Sequence, residues 1–100
     1  MSTVIFQGKV ALDGSTKIFS ASGITITNII INNLESNYVF SLNRFEEGPG
    51  IHTIPIYKLT LDAGDTIRDD TQYELSSSDF LQLISNVIGT TYYIKGTTND

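Results

Sequence analysis

The chain has 100 residues, 40% of them hydrophobic and only 17% charged, with a formal net charge of -5 and no cysteine. This excludes a disulfide framework and any cysteine-built zinc site, and six Lys/Arg scattered singly leave no basic stripe for phosphates, which argues against a nucleic-acid partner. Apolar runs reach only three residues, as in Ile29-Ile30-Ile31, far short of the ~20 that span a bilayer; with no charged-then-apolar N-terminal segment, a soluble, unprocessed chain without a membrane partner is expected.

Thr3 to Leu12 alternates as a strand should, with Val4, Phe6, Val10 and Leu12 on one face and Ile5, Gln7, Lys9 and Ala11 on the other. Gly8 falls on the inward side, where a missing side chain implies a bulge or the close approach of another backbone. Asp13-Gly14-Ser15 closes this strand with a turn. Thr16 to Ala21 reads as a short second strand ended by Ser22-Gly23. Ile24 to Asn33 is the most β-branched segment, and its phase changes near Asn28: Ile24 and Ile26 share one face, Ile29 and Ile31 the other. Such a strand is covered on both sides or carries a bulge, as when it crosses from one sheet of a sandwich to the other.

A polar loop through Asn37 leads to a strand over Tyr38 to Phe45, with Tyr38, Phe40 and Leu42 inward. Glu46-Glu47-Gly48-Pro49-Gly50 is the strongest breaker in the chain and predicts an exposed loop. Ile51 to Leu61 is the next strand, with Tyr57, Leu59 and Leu61 inward; Pro55 lacks an N–H and must lie at an edge or before the ladder begins.

Two copies of one module follow, fourteen residues apart: Leu59-Thr60-Leu61-Asp62-Ala63-Gly64-Asp65-Thr66-Ile67-Arg68 and Tyr73-Glu74-Leu75-Ser76-Ser77-Ser78-Asp79-Phe80-Leu81-Gln82. Each reads strand, tight turn, strand, with period-two alternation around a Gly/Ser/Asp cluster. A helix is conceivable only over Ser76 to Val87, where Leu81, Ile84 and Ile88 fall at helical spacing, but the first copy reads as strand and β-branched residues crowd the far end. A last strand covers Thr91 to Gly96, with Tyr92 and Ile94 on one face and Thr91, Tyr93 and Lys95 on the other. Seven to eight short strands without intervening helices predict an all-β, single-domain antiparallel sandwich or small barrel.

The chemistry on offer is thin. His52 is the single histidine and has no second one with which to share a metal. Asp62, Asp65, Asp69 and Asp70 match no calcium-loop spacing, so Asp65 and Asp79 are better read as acceptors of turn amide hydrogen bonds, with Asp13, Gly14 and Gly64 as further turn residues. No nucleophile elbow or glycine-rich phosphate loop is present. The expectation is a non-enzyme without catalytic residues, cofactor or metal. Surface remains: Phe19, Phe45, Ile56 and Tyr93 lie opposite the stronger core residues or at strand ends, and would mark contacts with other subunits if they stay outside, or complete a second buried face if they do not.

Thr27-Asn28-Ile29-Ile30-Ile31-Asn32-Asn33, a polar loop, Tyr38-Val39-Phe40-Ser41-Leu42, the segment Ile54 to Ile67 and the "Leu-x-x-x-Asp-x-Leu" step from Leu75 to Leu81 together resemble small β-sandwich virion proteins of tailed bacteriophages. The likeness covers about Ile24 to Gly96, and departs from the pattern at Ser76-Ser77-Ser78, where a Gly normally precedes the second Asp. It implies a jelly-roll-like sandwich and a non-enzymatic, multi-copy structural role in capsid decoration, neck, tail or fibre. The implied partners are other virion proteins and copies of the chain itself, and the implied location is the virion, after synthesis in the host bacterial cytoplasm. The alternative is a carbohydrate- or receptor-binding sandwich in which Tyr38, Tyr92 or Tyr93 stacks on sugar rings.

Overall fold

The computed structural model describes residues 2–11, 16–50 and 52–99; the turn expected at Asp13-Gly14 lies outside them. Among the described residues there are nine strands: β1 Thr3–Lys9, β2 Thr16–Ile18, β3 Ile24–Asn32, β4 Tyr38–Phe45, β5 Thr53–Leu61, β6 Thr66–Asp69, β7 Tyr73–Leu75, β8 Phe80–Ser85 and β9 Thr91–Thr98. They form two antiparallel sheets packed as a sandwich. The first has the order β1-β9-β3-β6, with β7 also paired to β3, and the second has the order β2-β8-β4-β5.

The count exceeds the expected seven to eight because one edge position of the first sheet is filled twice. Strand β6 pairs with Ile29–Asn32 of β3, while β7 pairs with Ile24–Ile26. Between these stretches β3 is bulged: its register against β9 shifts from Ile26 to Asn28, leaving Thr27 as the extra residue. The break between β6 and β7 therefore sits beside the bulge. The extra residue also resolves the change of phase, because Ile24, Ile26, Ile29 and Ile31 are all fully buried in a strand that stays within one sheet rather than crossing between two. A bulge resets the alternation, so residues of opposite parity point to the same side.

The core lies between the sheets. Those four isoleucines with Ile67, Leu75 and Ile94 face Ile18, Tyr38, Phe40, Leu42, Leu81 and Leu83. Each fully buried Ile or Leu contributes roughly 1.5–3 kcal/mol through removal of apolar surface from water. Ser76 to Val87, the one place a helix was conceivable, contains β8, whose Leu81, Leu83 and Ser85 are buried on alternate positions. Gly8 admits not another backbone but a ring: a Cβ there would lie 3.3 Å from the Tyr92 hydroxyl, and Tyr92 is its cross-strand partner.

The two repeated modules make the same turn. In the first, the Asp65 amide donates to the Asp62 carbonyl at 3.0 Å and the Asp62 amide donates to the Asp65 carboxylate at 3.3 Å. In the second, the Asp79 amide donates to the Ser76 carbonyl at 3.1 Å and the Ser76 amide to the Asp79 carboxylate at 3.4 Å. Gly64 has φ 88°, a backbone conformation that glycine adopts without a Cβ penalty. The first turn carries the chain from β5 in the second sheet to β6 in the first, and the second returns it from β7 to β8.

Candidate functional site

The open side between β5 and β6/β7 holds a cleft of 620 Å3 floored by Ile56, Tyr57, Leu59, Ile67 and Tyr73 and rimmed by Arg68, Asp69 and Asp70. Leu59 and Tyr57 face inward as expected, but β5 is the last strand of its sheet and nothing covers this end of the floor, so Leu59 stays 41% exposed. Inside the cleft the Tyr57 and Tyr73 hydroxyls both donate to Oδ2 of Asp69, at 3.2 and 2.6 Å, while the Thr71 amide donates to Oδ1 at 2.9 Å. Burial raises the Asp69 carboxyl, yet hydrogen bonds from Tyr73, Thr71 and Tyr57 outweigh it and hold the pKa below its ordinary 3.8. Burial, then the Asp69 charge, pushes Tyr57 upward; burial and the Asp69 hydrogen bond bring Tyr73 to about 12. Two neutral phenols on one carboxylate make a latch between sheet edges, with no group poised to accept a proton near neutral pH.

A second polar centre closes one end of the sandwich. Asn33, 1% exposed, donates through Nδ2 to the Ile88 carbonyl and the Thr90 hydroxyl, both at 3.1 Å, and accepts the amides of Glu35 and Ser36 at 3.0 Å. Its carbonyl accepts the Gly64 amide at 2.7 Å. One residue thus braces three loops, its side chain joining the β3–β4 and β8–β9 loops and its backbone carbonyl the β5–β6 loop, because a buried amide must satisfy both its donors and its acceptor. On this braced end Leu34 and Ile88 are 78% and 71% exposed.

Arg44 was not singled out by the sequence reading, although it shares the inward parity of Phe40 and Leu42. It lies opposite Leu81. Its guanidinium donates to the Glu74 carbonyl of the other sheet at 2.6 Å and to Glu46 at 2.8 Å, and lies 3.6 Å from Asp79. Burial raises Asp79, but hydrogen bonds from Ser76 and Glu47 and the Arg44 charge bring its pKa below the ordinary value.

The expected surface residues do not gather at one place. Phe19 is 56% exposed. Phe45 lies on the outer face of the second sheet in a closed row: it stacks on Phe80 at 4.6 Å and meets His52 at 5.4 Å, while the Lys17 ammonium lies 4.8 Å from the Phe80 ring centre. Ile56 is half-buried against the core in the cleft. Tyr93 lies on the outer face of the first sheet in a trough with Gln7, Lys9 and Ile30. His52 Nδ1 donates a hydrogen bond to the Glu46 carbonyl, 3.0 Å away, and the described residues contain no cluster of three or more His, Cys, Asp or Glu able to hold a metal. Of the tyrosines named for sugar stacking, Tyr38 is 1% exposed and its hydroxyl donates to the Asp65 carbonyl at 2.7 Å; Tyr92 lies over Gly8.

Fold and sites together define an all-β two-sheet sandwich whose polar side chains are spent on turns, loops and sheet edges. No protein-family model and no curated protein matches the chain.

Proposed function

We propose that this chain is a non-enzymatic, multi-copy structural component of a tailed-phage virion that attaches to capsid, neck, tail or fibre neighbours through its loops and strand edges. The observation that carries the reading is the braced loop end, where Leu34 and Ile88 are held out into solvent by a fully satisfied buried amide. Large apolar side chains fixed in water favour association, and rigidity lowers the entropy lost on docking. The strand orders β1-β9-β3-β6 and β2-β8-β4-β5, with the chain changing sheet at every step except β4–β5 and β6–β7, support a jelly-roll-like wind, in keeping with the virion proteins that the sequence resembles. The buried Asn33, Asp79, Ser85 and Thr90 support it too, since their side chains are engaged in holding turns and loops rather than presented to a substrate.

The glycan-binding alternative has less behind it. Tyr38 is enclosed, Phe45 is stacked on Phe80 and met by a tilted His52 ring, and Tyr92 lies over Gly8, which leaves Tyr93 half-buried on the outer face of the first sheet. Salt-washed, gradient-purified particles analysed by peptide mass spectrometry test the reading: the chain's peptides are expected with the particle, and their absence there, with saturable glycan binding by the isolated chain, would establish the alternative.

A further inference from the structure

We infer that β1 pairs with β1 of a second copy, antiparallel about a two-fold axis at Ile5, so that the first sheets of two molecules become one. The contact rests on the multi-copy reading above and names the edge through which two copies meet. Among the described residues β1 has one neighbour, β9, and the two ends of their ladder show which backbone groups it uses. The Thr98 amide donates to the Ser2 carbonyl and the Val10 amide to the Thr90 carbonyl, both at 2.8 Å, and the register between them runs without a shift. In an antiparallel ladder such bonded pairs alternate with unbonded ones. Val4, Phe6 and Gly8 therefore bond β9, while Thr3, Ile5 and Gln7 turn both N–H and C=O away from it.

The other edges are closed to an added strand. In β5 the Glu46 amide donates to the His52 carbonyl, so by the same alternation the Pro55 nitrogen lies on the outer side, where it offers no donor. A register shift beside it leaves Ile56 unpaired. Strands β6 and β7 divide one edge between them, with Arg68, Asp69 and Asp70 where they part, and β2 is only three residues long with Lys17 at its centre. Prolines, bulges, charges and shortness are what keep sheet edges from pairing. From Thr3 to Gly8, β1 has none of them.

What fits this edge is the same strand reversed. Centred on Ile5, the pairing sets Ile5 against Ile5, Thr3 against Gln7 and Val4 against Phe6 of the second copy. Ile5, 51% exposed, leaves water on the outer face, and Val4 and Phe6, half-buried against the core, gain a neighbour on the inner one. Polar meets polar at Thr3 and Gln7, and Lys9 stays beyond the paired stretch at either end, so no like charges oppose. Moving the centre to Phe6, the other register that bonds these residues, sets Ile5 against Gln7 and Lys9 against Thr3, which matches less well. Each outward pair exchanges two backbone hydrogen bonds; these supply affinity, and the alternate side chains fix the register. Both copies use the same edge, so assembly through it stops at a dimer.

Sedimentation velocity on the full chain over a range of concentrations, joined to cysteine crosslinking, tests this. The unmodified chain is expected to dimerise. Ile5→Pro removes an outward N–H without breaking the β9 ladder, and Ile5→Lys sets two ammonium groups opposite each other; each is expected to weaken dimerisation by about tenfold or more. Ile5→Lys, at an exposed position, carries the test if the proline disturbs the strand. The chain has no cysteine, so Ile5→Cys places a single pair of thiols across the axis, at the ~5.5 Å Cα separation of a bonded pair, within disulfide reach. Mild oxidation is expected to crosslink this variant and to leave Leu34→Cys, in a loop position 78% exposed, uncrosslinked. A chain that sediments as a monomer throughout overturns this contact while leaving particle incorporation to its own test. A dimer that survives Ile5→Lys, or one in which Leu34→Cys crosslinks as readily as Ile5→Cys, overturns it as well.

Discussion

The Tyr57 hydroxyl donates to the Asp69 carboxylate at 3.2 Å, and that single bond spans the sandwich, since Tyr57 lies on the edge strand of one sheet and Asp69 on the edge strand of the other. Tyr73 shares the same oxygen at 2.6 Å. Hydrogen bonds to a charged acceptor contribute about 1.5–3 kcal/mol each when buried. Because this cleft is partly open to water, Tyr57→Phe is expected to cost about 1 kcal/mol in a denaturant melt. Asp69→Ala removes the acceptor of both phenols and is expected to cost more than either Tyr→Phe change alone.

The same latch sets two pH windows. Asp69 and Asp79 have folded pKa values below the ordinary 3.8, so the stability they supply is present above that value and is lost as pH falls through their folded values. Tyr73 is raised from 10.0 to about 12. Its contribution is therefore complete below pH 10 and is lost as pH climbs toward 12. Thermal melts across pH are expected to fall at both extremes. Asp69→Asn flattens the acid limb, and Tyr73→Phe flattens the alkaline one.

Arg44 carries a different load. It faces Asp79 and the Glu74 carbonyl across the sheets, and Asp79 is 9% exposed. Arg44→Met keeps most of the packing while leaving that carboxylate without its cation, which is expected to cost about 1–3 kcal/mol in equilibrium unfolding. Arg44→Met combined with Asp79→Asn is expected to lose less than the sum of the two single changes, the sign of a shared interaction.

Gly96 gives the most severe backbone prediction. A Cβ there would lie 2.7 Å from the Thr25 carbonyl oxygen and 3.1 Å from Ile24 Cδ1, inside the pairing of β9 with β3. Backbone cannot yield as a flexible side chain can, so Gly96→Ala is expected to destabilise by about 2–3 kcal/mol.

How much of this was legible in the sequence follows from range along the chain. The paired turns could be read because Asp65 and Asp79 bond amides three residues back, within their own modules. The inward faces of Tyr38, Phe40, Leu42, Leu81 and Leu83 could be read from alternation. The phase change at Asn28 signalled an irregularity, but a one-residue bulge and a crossing between sheets produce the same pattern until a partner's register is known. The latch was not legible: Tyr57, Asp69 and Tyr73 meet only because β5 and β6 become edges on the same side, a fact of topology rather than of local pattern. Arg44 left a faint signal in its parity with Leu42, where a charge implies a buried counterpart. Phe45 was visible as an outward aromatic; that it stacks on Phe80 depends on cross-strand register.

The measurement that bears most directly on the structural role is the copy number of the chain in purified particles, by isotope-dilution mass spectrometry against the major shell protein. A component built into the particle gives one fixed ratio, unchanged by salt washing and reproducible between preparations. A ratio that scatters between preparations, or falls to zero on washing, contradicts the account.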